Sequence, residues 1–487
     1  MNFDVVYKKR VEIPNLEQLV SQLVHIVGNE KWVSTEEADL VAYSKDYQLI
    51  TNRWMMEGVV PGLPHVIVWP ETEEQISKIL LLANEKKIPV IPYGEGSGVV
   101  GAAIPVYGGI MVDLKRMTKI IEVNEHNLTV TVQCGANGKW LERELTKVGY
   151  LIGHVPQSFY SSTVGGWIAH RAAGQFSTKY GKIEDIVLSM RIVLPTGEIV
   201  NTKLYPRASD GPQIERLFLS SEGTLGIVTQ ATMKMWPLPK KQAGIAFIFN
   251  VIEDSLKATR LILQKQIYPA VIRIYDKAET ERHFYIEPKA NKKVMVIFVC
   301  EAPIESLVDL EISEIKNTCS ECKGIECGKG PVVHWFDTRF TVNESSIYIP
   351  KGQIMDTVEV SCMWDKAEQL YHSVIGELSK VEGILLASGH ASHFYPNGVC
   401  FYFSFSGVVP DDQTPEEFFK LAWEAVMIGT LQAGGSISHH HGIGINRARW
   451  MREEHGPVLD LMKKIKHVID PKGIMNPGKL YEETERE

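Results

Sequence analysis

The chain has 487 residues, 44% of them apolar and 23% charged, too long for one compact core and sufficient for two or three globular units. A net charge of −8 with no long basic run argues against nucleic acid as the main partner. Met1 to Arg10 holds no apolar stretch of signal-peptide length, no membrane-length apolar run follows, and the seven cysteines are an odd number, so a reducing, cytoplasmic setting without structural disulfides is expected.

Residues 1–60 read as a helical segment with a loop at Asn52-Arg53-Trp54, and Pro61-Gly62-Leu63-Pro64 opens a second unit, 61–240. There the apolar spacing of Glu73–Asn84 predicts a helix, Ile88-Pro89-Val90-Ile91 a strand, and Pro92-Tyr93-Gly94-Glu95-Gly96-Ser97-Gly98 a glycine loop. A second small-residue run follows at Ser162-Thr163-Val164-Gly165-Gly166. Residues without side chains let backbone N–H groups close on a diphosphate, so two such loops suggest a dinucleotide cradle. The first loop leads into another strand, Gly109–Leu114, rather than opening a helix, which disfavours a nicotinamide-type Rossmann site. Trp236-Pro237-Leu238-Pro239 marks the next boundary. Residues 241–441 then alternate strands (245–249, 294–299, 401–405) with a helix at 253–264, a mixed α+β unit. From Gly442 to 487 the chain turns helical and ends on Asn476-Pro477-Gly478. Cys319, Cys322 and Cys327 lack a fourth ligand nearby, with His334 only a loose candidate, and read as a helix end and turn rather than a metal centre.

These loops, with Ile67-Val68-Trp69-Pro70, Asp113-Leu114, Cys134-Gly135-Ala136, Ser221-Glu222-Gly223-Thr224-Leu225-Gly226 and Asp470 to Lys479, resemble the FAD-linked oxidase family, which has the vanillyl-alcohol-oxidase or PCMH type of FAD-binding domain. The resemblance implies an α+β fold in which a PCMH-type FAD domain is followed by an α+β substrate domain and a C-terminal segment that returns to the flavin. It implies cofactor contacts from Pro92, Gly94, Glu95, Gly96, Ser97, Gly98, Ser162, Thr163, Gly165, Gly166, Glu222, Gly223, Gly226, Ile227 and Asn476, and a homodimer. Neither loop has a histidine or cysteine to tether the ring, so FAD is expected to be non-covalent, with His170 the nearest other candidate tether. Glu95 is expected to point away from the diphosphate, which an unpaired carboxylate would repel.

Gly153-His154-Val155-Pro156, Ile272–Asp276 and Ser438-His439-His440-His441-Gly442 are similar to segments of the ether-lipid branch, the alkylglycerone-phosphate synthases. The D-2-hydroxyacid dehydrogenases, which include D-lactate and glycolate enzymes, form the second related branch. The first likeness implies catalytic roles for His439, His440, His441, Tyr395 and His154, and an anion-binding role for Arg273. Tyr395 would need its phenol acidified, by the histidines or by Arg273. The second likeness implies that Lys351, in Tyr348-Ile349-Pro350-Lys351, holds a substrate carboxylate and that His390 stands at the substrate. Its metal set would fall on His390, Asn397 and His440, too poor in carboxylate and imidazole for a dedicated zinc site, so no metal is expected. The expected activity is transfer of hydride from a hydroxyl-bearing carbon of a small anionic substrate, of 2-hydroxyacid type, to flavin N5. Oxygen, a quinone, a cytochrome or an electron-transfer flavoprotein would be the acceptor. The alternatives are redox-neutral exchange of an acyl for an alkyl group at the same ring position, or a flavin subunit that only passes electrons.

Overall fold

The computed structural model describes residues 4–7, 9–285, 287–341 and 352–481. Three sheets organise it. In the first, Val33–Ser34, Val66–Val68, Ile110–Asp113 and Val90–Tyr93 lie side by side, the last three parallel. Helix Glu73–Lys86, capped by Thr72, packs Ile76, Ile79, Leu80 and Ala83 against Val66, Val68, Ile110 and Val112. Ile67, Met111 and Ile91 enter a second cluster, so these strands are buried on both faces, as in parallel sheets generally. The glycine loop therefore leaves the end of a buried strand at the edge of this sheet.

The second sheet is antiparallel, in the order Ile199–Asn201, Val187–Val193, Ile227–Lys234, Thr129–Gln133 and Ile120–Asn124. The third has seven antiparallel strands in the order Ile325–Gly328, Lys241–Phe249, Val294–Ala302, Val271–Tyr275, Ile384–Tyr395, Gly398–Val408 and Gln353–Met363. Its period-2 side chains divide cleanly. Ile245, Phe247, Phe249, Val296 and Phe298 face the helices Ile252–Gln264, Glu305–Glu321 and Ala367–Leu378. Ala246, Ile248, Met295, Ile297 and Val299 join the core of the second sheet instead. Burial on both faces explains why Val294–Val299 reads as an unbroken apolar run. It also fixes the large sheet against the second one. At the C-terminus, Val90 N–H donates to Ile474 O (2.7 Å) and Asn476 N–H to Val90 O (2.8 Å), so the last segment docks beside the glycine-loop strand.

Two local readings are corrected. Asn52-Arg53-Trp54 lies inside the helix Leu49–Met56, because Ile50 and Trp54, one turn apart, are buried together and Trp54 Nε1–H donates to Glu416 (2.6 Å) from a distant helix. The first 60 residues are not helical throughout either, since Asp4–Val5 pairs with Val59–Val60 and Val33–Ser34 extends the first sheet. Cys319 closes a helix, Cys322 follows it, and Cys327 sits on the edge strand Ile325–Gly328. His334 is 2.9 Å from the His283 carbonyl, in a separate contact.

Candidate active site

The two small-residue loops meet. A Cβ on Gly94 would collide with Thr163 Oγ1, and one on Gly165 would stand 3.0 Å from the Cys134 carbonyl. Gly96 has φ +66 and a Cβ there would strike the Tyr93 phenol, so this turn admits only glycine. Gly98 and the half-buried Ser97 continue the loop toward His170, and Pro92 touches Gly223. Thr163 Oγ1 accepts from Gly166 N–H (3.2 Å), and Ser162 Oγ accepts from Trp167 Nε1–H (2.9 Å). Glu95 turns to Asn137, whose amide donates to both its oxygens at 3.0 Å.

Glu222 ties the halves together. Its buried carboxylate accepts from Ile443 N–H (2.6 Å) and Gly444 N–H (2.9 Å), just after the histidine triplet. Glu222, Gly223 and Gly226 all have positive φ, and Ile227 starts the strand behind them. Asn476 donates to Glu222 O (2.7 Å) and Ala102 O (2.9 Å). Its Oδ1 is buried with no partner among the described residues, as are Asp46 Oδ2, Gln48 Oε1 and both ring nitrogens of His154. Buried polar atoms without partners beside a cradle that has room for no Cβ fit a large polar ligand such as FAD.

The substrate side is built on one hairpin, Ile384–Tyr395 and Gly398–Val408. Its register slips between Ala391 and His393. In a regular strand residues 390 and 393 would face opposite ways; the extra residue turns His390, His393 and Tyr395 to one face. Tyr402 lies across from His390, with rings stacked at 4.8 Å. The histidine turn closes onto this face. Tyr395 Oη is 2.7 Å from His439 Nε2, His439 Nδ1 is 2.8 Å from His440 Nδ1, and His440 Nε2 is 2.5 Å from Tyr402 Oη. His393 Nδ1 meets Ser177 Oγ at 2.7 Å, and Lys182 Nζ–H donates to the His439 carbonyl (2.7 Å). Behind the turn, Glu359 accepts from the His440 and His441 N–H groups (3.0 and 2.5 Å) and from Ser438 Oγ–H (3.2 Å). Arg447 NH1 stands 2.7 Å from its other oxygen, an ion pair without hydrogen-bond alignment, and both side chains are fully buried.

Burial keeps this site neutral. It pushes His439, His440 and His393 well below the ordinary imidazole range, helped by the charge of Lys182 and, at His393, of Arg273, and a proton on any one ring would disfavour a proton on the next. It takes His441 down to about 4 against the pull of Glu359, and His154 and His390 to about 3. For Glu359, burial acts upward but is outweighed by Arg447, His441 and the turn's N–H groups, so its carboxyl is held below the usual range. The expected acidification of Tyr395 is overturned: burial raises its phenol well above 10, and neutral imidazoles offer no charge to offset that.

The expected metal set is also not what gathers. Asn397 lies in the hairpin turn, its carbonyl accepting from Trp364 N–H (3.2 Å), whereas His393, His439 and His440 bring ring nitrogens within 4.8 Å of one another. Arg273 is on the central strand Val271–Tyr275, where its charge reaches His390, His393 and Tyr402. Beside it stands Arg339, set among Phe176, Trp335, Phe336 and Phe340 and donating to Gln175 Oε1 (3.2 Å). Burial first, and Arg273 further, pull the Arg339 guanidinium down to about 10. Among the described residues neither arginine has a carboxylate within ion-pair distance. Lys351 lies outside the described residues. Sequence reasoning gave no role to His393, Tyr402, Lys182, Glu359 or Arg339, although His393 lies in Gly389–Asn397, Lys182 in the ether-lipid-like stretch Tyr180–Asp185 and Tyr402 in the expected strand 401–405.

A glycine cradle for a dinucleotide that opens onto a buried set of phenols and imidazoles defines a flavin-dependent enzyme of oxidoreductase type, with FAD held non-covalently. Family models for the FAD binding domain match residues 64–203, and those for the C-terminal domain of FAD linked oxidases match residues 238–480. The chain belongs to the FAD-linked oxidase family. It is 30% identical to an alkyldihydroxyacetonephosphate synthase of Dictyostelium discoideum over 87% of this chain and 74% of that one. It is 28% identical to the mitochondrial D-lactate dehydrogenase (cytochrome) 1 of Saccharomyces cerevisiae over 96% and 80%. A solved alkyldihydroxyacetonephosphate synthase structure superposes with a TM-score of 0.79 at 27% identity, covering 96% of this chain and 85% of that one.

Proposed function

We propose that the chain exchanges the acyl group of an acylated dihydroxyacetone phosphate for a long-chain alcohol, releasing a fatty acid and leaving an ether. The observation that carries this reading is the pairing of Tyr395 and His439 at 2.7 Å on the hairpin face whose His393 and Tyr402 feel the charge of Arg273, which, like Arg339 beside it, has no carboxylate within ion-pair distance among the described residues. Bound FAD supplies the reactive N5 of its ring; binding and proton handling fall to the chain. Arg273 and Arg339 present two cations to a phosphate dianion, and the aromatic rings around Arg339 offer an apolar wall beside it. Tyr395 takes the proton given up by the alcohol as it releases its own to His439, and the acyl group leaves as a carboxylate. His154, which has no partner on either nitrogen, stands beside Trp167 of the flavin cradle and orients the ligand there.

Oxidation of a D-2-hydroxyacid is the second reading. The yeast relative favours it, but Asn397 stands where that branch needs an imidazole, which counts against it. Mass spectrometry of the flavin-loaded protein given acylated dihydroxyacetone phosphate and deuterated hexadecanol decides between them. Deuterated ether supports the exchange reading. No ether, together with anaerobic bleaching of the flavin by a D-2-hydroxyacid, replaces it with the second.

A further inference from the structure

The contacts from Tyr395 to Tyr402 form an unbroken line of four groups: phenol, imidazole, imidazole, phenol. Two neutral imidazoles and two phenols carry one exchangeable proton each, and three hydrogen bonds use three of them. Only two arrangements make every bond. In one, Tyr395 donates to His439, His439 to His440, and His440 to Tyr402, which leaves the Tyr402 proton outside the line. In the other every bond reverses, and the spare proton is on Tyr395, the end assigned to substrate, while the charge of Arg273 reaches the other end at Tyr402. A histidine facing only solvent or a single partner would have no such pair of equivalent states.

We infer that Tyr402 is the far terminus of a two-state proton relay, holding the negative charge that Tyr395 would otherwise keep while it faces the substrate. This rests on the reading of Tyr395 as the group that exchanges a proton with substrate. When Tyr395 gives its proton away, His439 Nε2–H passes to the Tyr395 oxygen, His440 Nδ1–H to His439 Nδ1, and Tyr402 O–H to His440 Nε2. Three protons move one place each, no imidazole becomes a cation, and the phenolate ends on Tyr402. The return of a proton to Tyr395 runs the sequence backwards. Burial and Glu359 push the Tyr402 phenol up and Arg273 and Ser392 pull it down, so the phenolate there is a short-lived state that the returning proton discharges. Glu359 holds the His440 and His441 backbone and Lys182 the His439 carbonyl, so the rings stay in register while the protons move. Ser177 occupies His393 Nδ1, which keeps that ring out of the line. Tyr402 is stacked on His390, a contact that phenylalanine would preserve.

Tyr402→Phe is the test, read in the holoprotein by nitrogen NMR of 15N-labelled histidine. In the wild type the ring nitrogens of His439 and His440 should show averaged shifts, midway between protonated and bare. In Tyr402→Phe the first arrangement has no acceptor for His440 Nε2–H, so His440 should lock as its Nδ1–H form with the flavin spectrum intact. Fixed, unaveraged tautomers in the wild type that Tyr402→Phe leaves unchanged would overturn the relay. In the exchange assay the variant should lose about a hundredfold in kcat at unchanged KM, and rates in H2O/D2O mixtures should change from curved to linear. A kcat within twofold of wild type overturns the relay as well. A wild type that forms no ether refutes the proposed reaction instead, and the NMR result then decides the relay without it.

Discussion

Glutamine at position 359 should unseat the histidine turn. The carboxylate accepts from Ser438, His440 and His441 through one oxygen and faces Arg447 with the other, and neither member of the ion pair is exposed. Glutamine keeps one acceptor but places an NH2 group where either the backbone donors or Arg447 already point donors, and it leaves a guanidinium buried without a counter-charge. Breaking a buried pair in this way costs about 3–5 kcal/mol. For a unit of a few hundred residues, at about 2–4 °C per kcal/mol, that is a fall in Tm of roughly 10 °C. Arg447→Met should cost a similar amount, and Glu359→Gln/Arg447→Met less than the sum, because the double variant buries no lone charge. The pH dependence has a definite sign. A carboxyl held below its unfolded value, ordinarily about 4.3, contributes stability that is complete at neutral pH and lost as pH falls through the folded value, so Glu359→Gln should narrow its gap to wild type in acid. Scanning calorimetry of the wild type and the three variants from neutral pH to well below the unfolded carboxyl value of about 4.3 measures this. Strictly additive losses, or a Glu359→Gln protein within 2 °C of wild type (against the roughly 10 °C above), would refute the argument that this pair positions the turn.

Histidines set a second pH signature. His154 and His390 at about 3 and His441 at about 4 refuse protons that the unfolded chain takes up near 6.5, so stability is full above about pH 7 and falls as pH drops toward 4. Each contributes a slope of up to about 1.4 kcal/mol per pH unit, and His154→Gln should remove one such increment from denaturant melts. Gly94→Ala places a methyl against Thr163, so the purified protein should contain little flavin by absorbance; normal FAD content would show that the loops do not close on the cofactor. Arg273→Ala and Arg339→Lys should each raise KM for a phosphate-bearing substrate at least tenfold, with Arg339→Lys no milder than alanine because lysine lacks the planar fork. An unchanged KM in both would move the anion site elsewhere.

The flavin half was legible from local chemistry. Glycine loops announce themselves because only glycine tolerates φ +66 at residue 96 or the approach of residue 94 to Thr163, and the terminal Asn476 turn follows the same logic. Tyr395 and the triplet were visible as residues but not as a line, since their alignment depends on a register slip at Ser392 that no periodicity reveals. Glu359, Tyr402 and Arg339 come from three separate strands and helices and look like ordinary strand or surface residues until the seven-stranded sheet assembles them. The sign of the Tyr395 shift failed for a related reason: a cluster of histidines suggests charge, and only the burial of the whole set shows that it has none. Trp54 misled in the opposite direction, because its partner Glu416 is 362 residues away.

The most direct measurement is the product analysis of the flavin-loaded protein supplied with acylated dihydroxyacetone phosphate and deuterated hexadecanol, run beside Tyr395→Phe. The account predicts deuterated alkyl ether and one equivalent of free fatty acid from the wild type, and at least a hundredfold less of both from the variant. Fatty acid without ether, ether formed equally well by Tyr395→Phe, or no turnover of the ketone phosphate at all would contradict it.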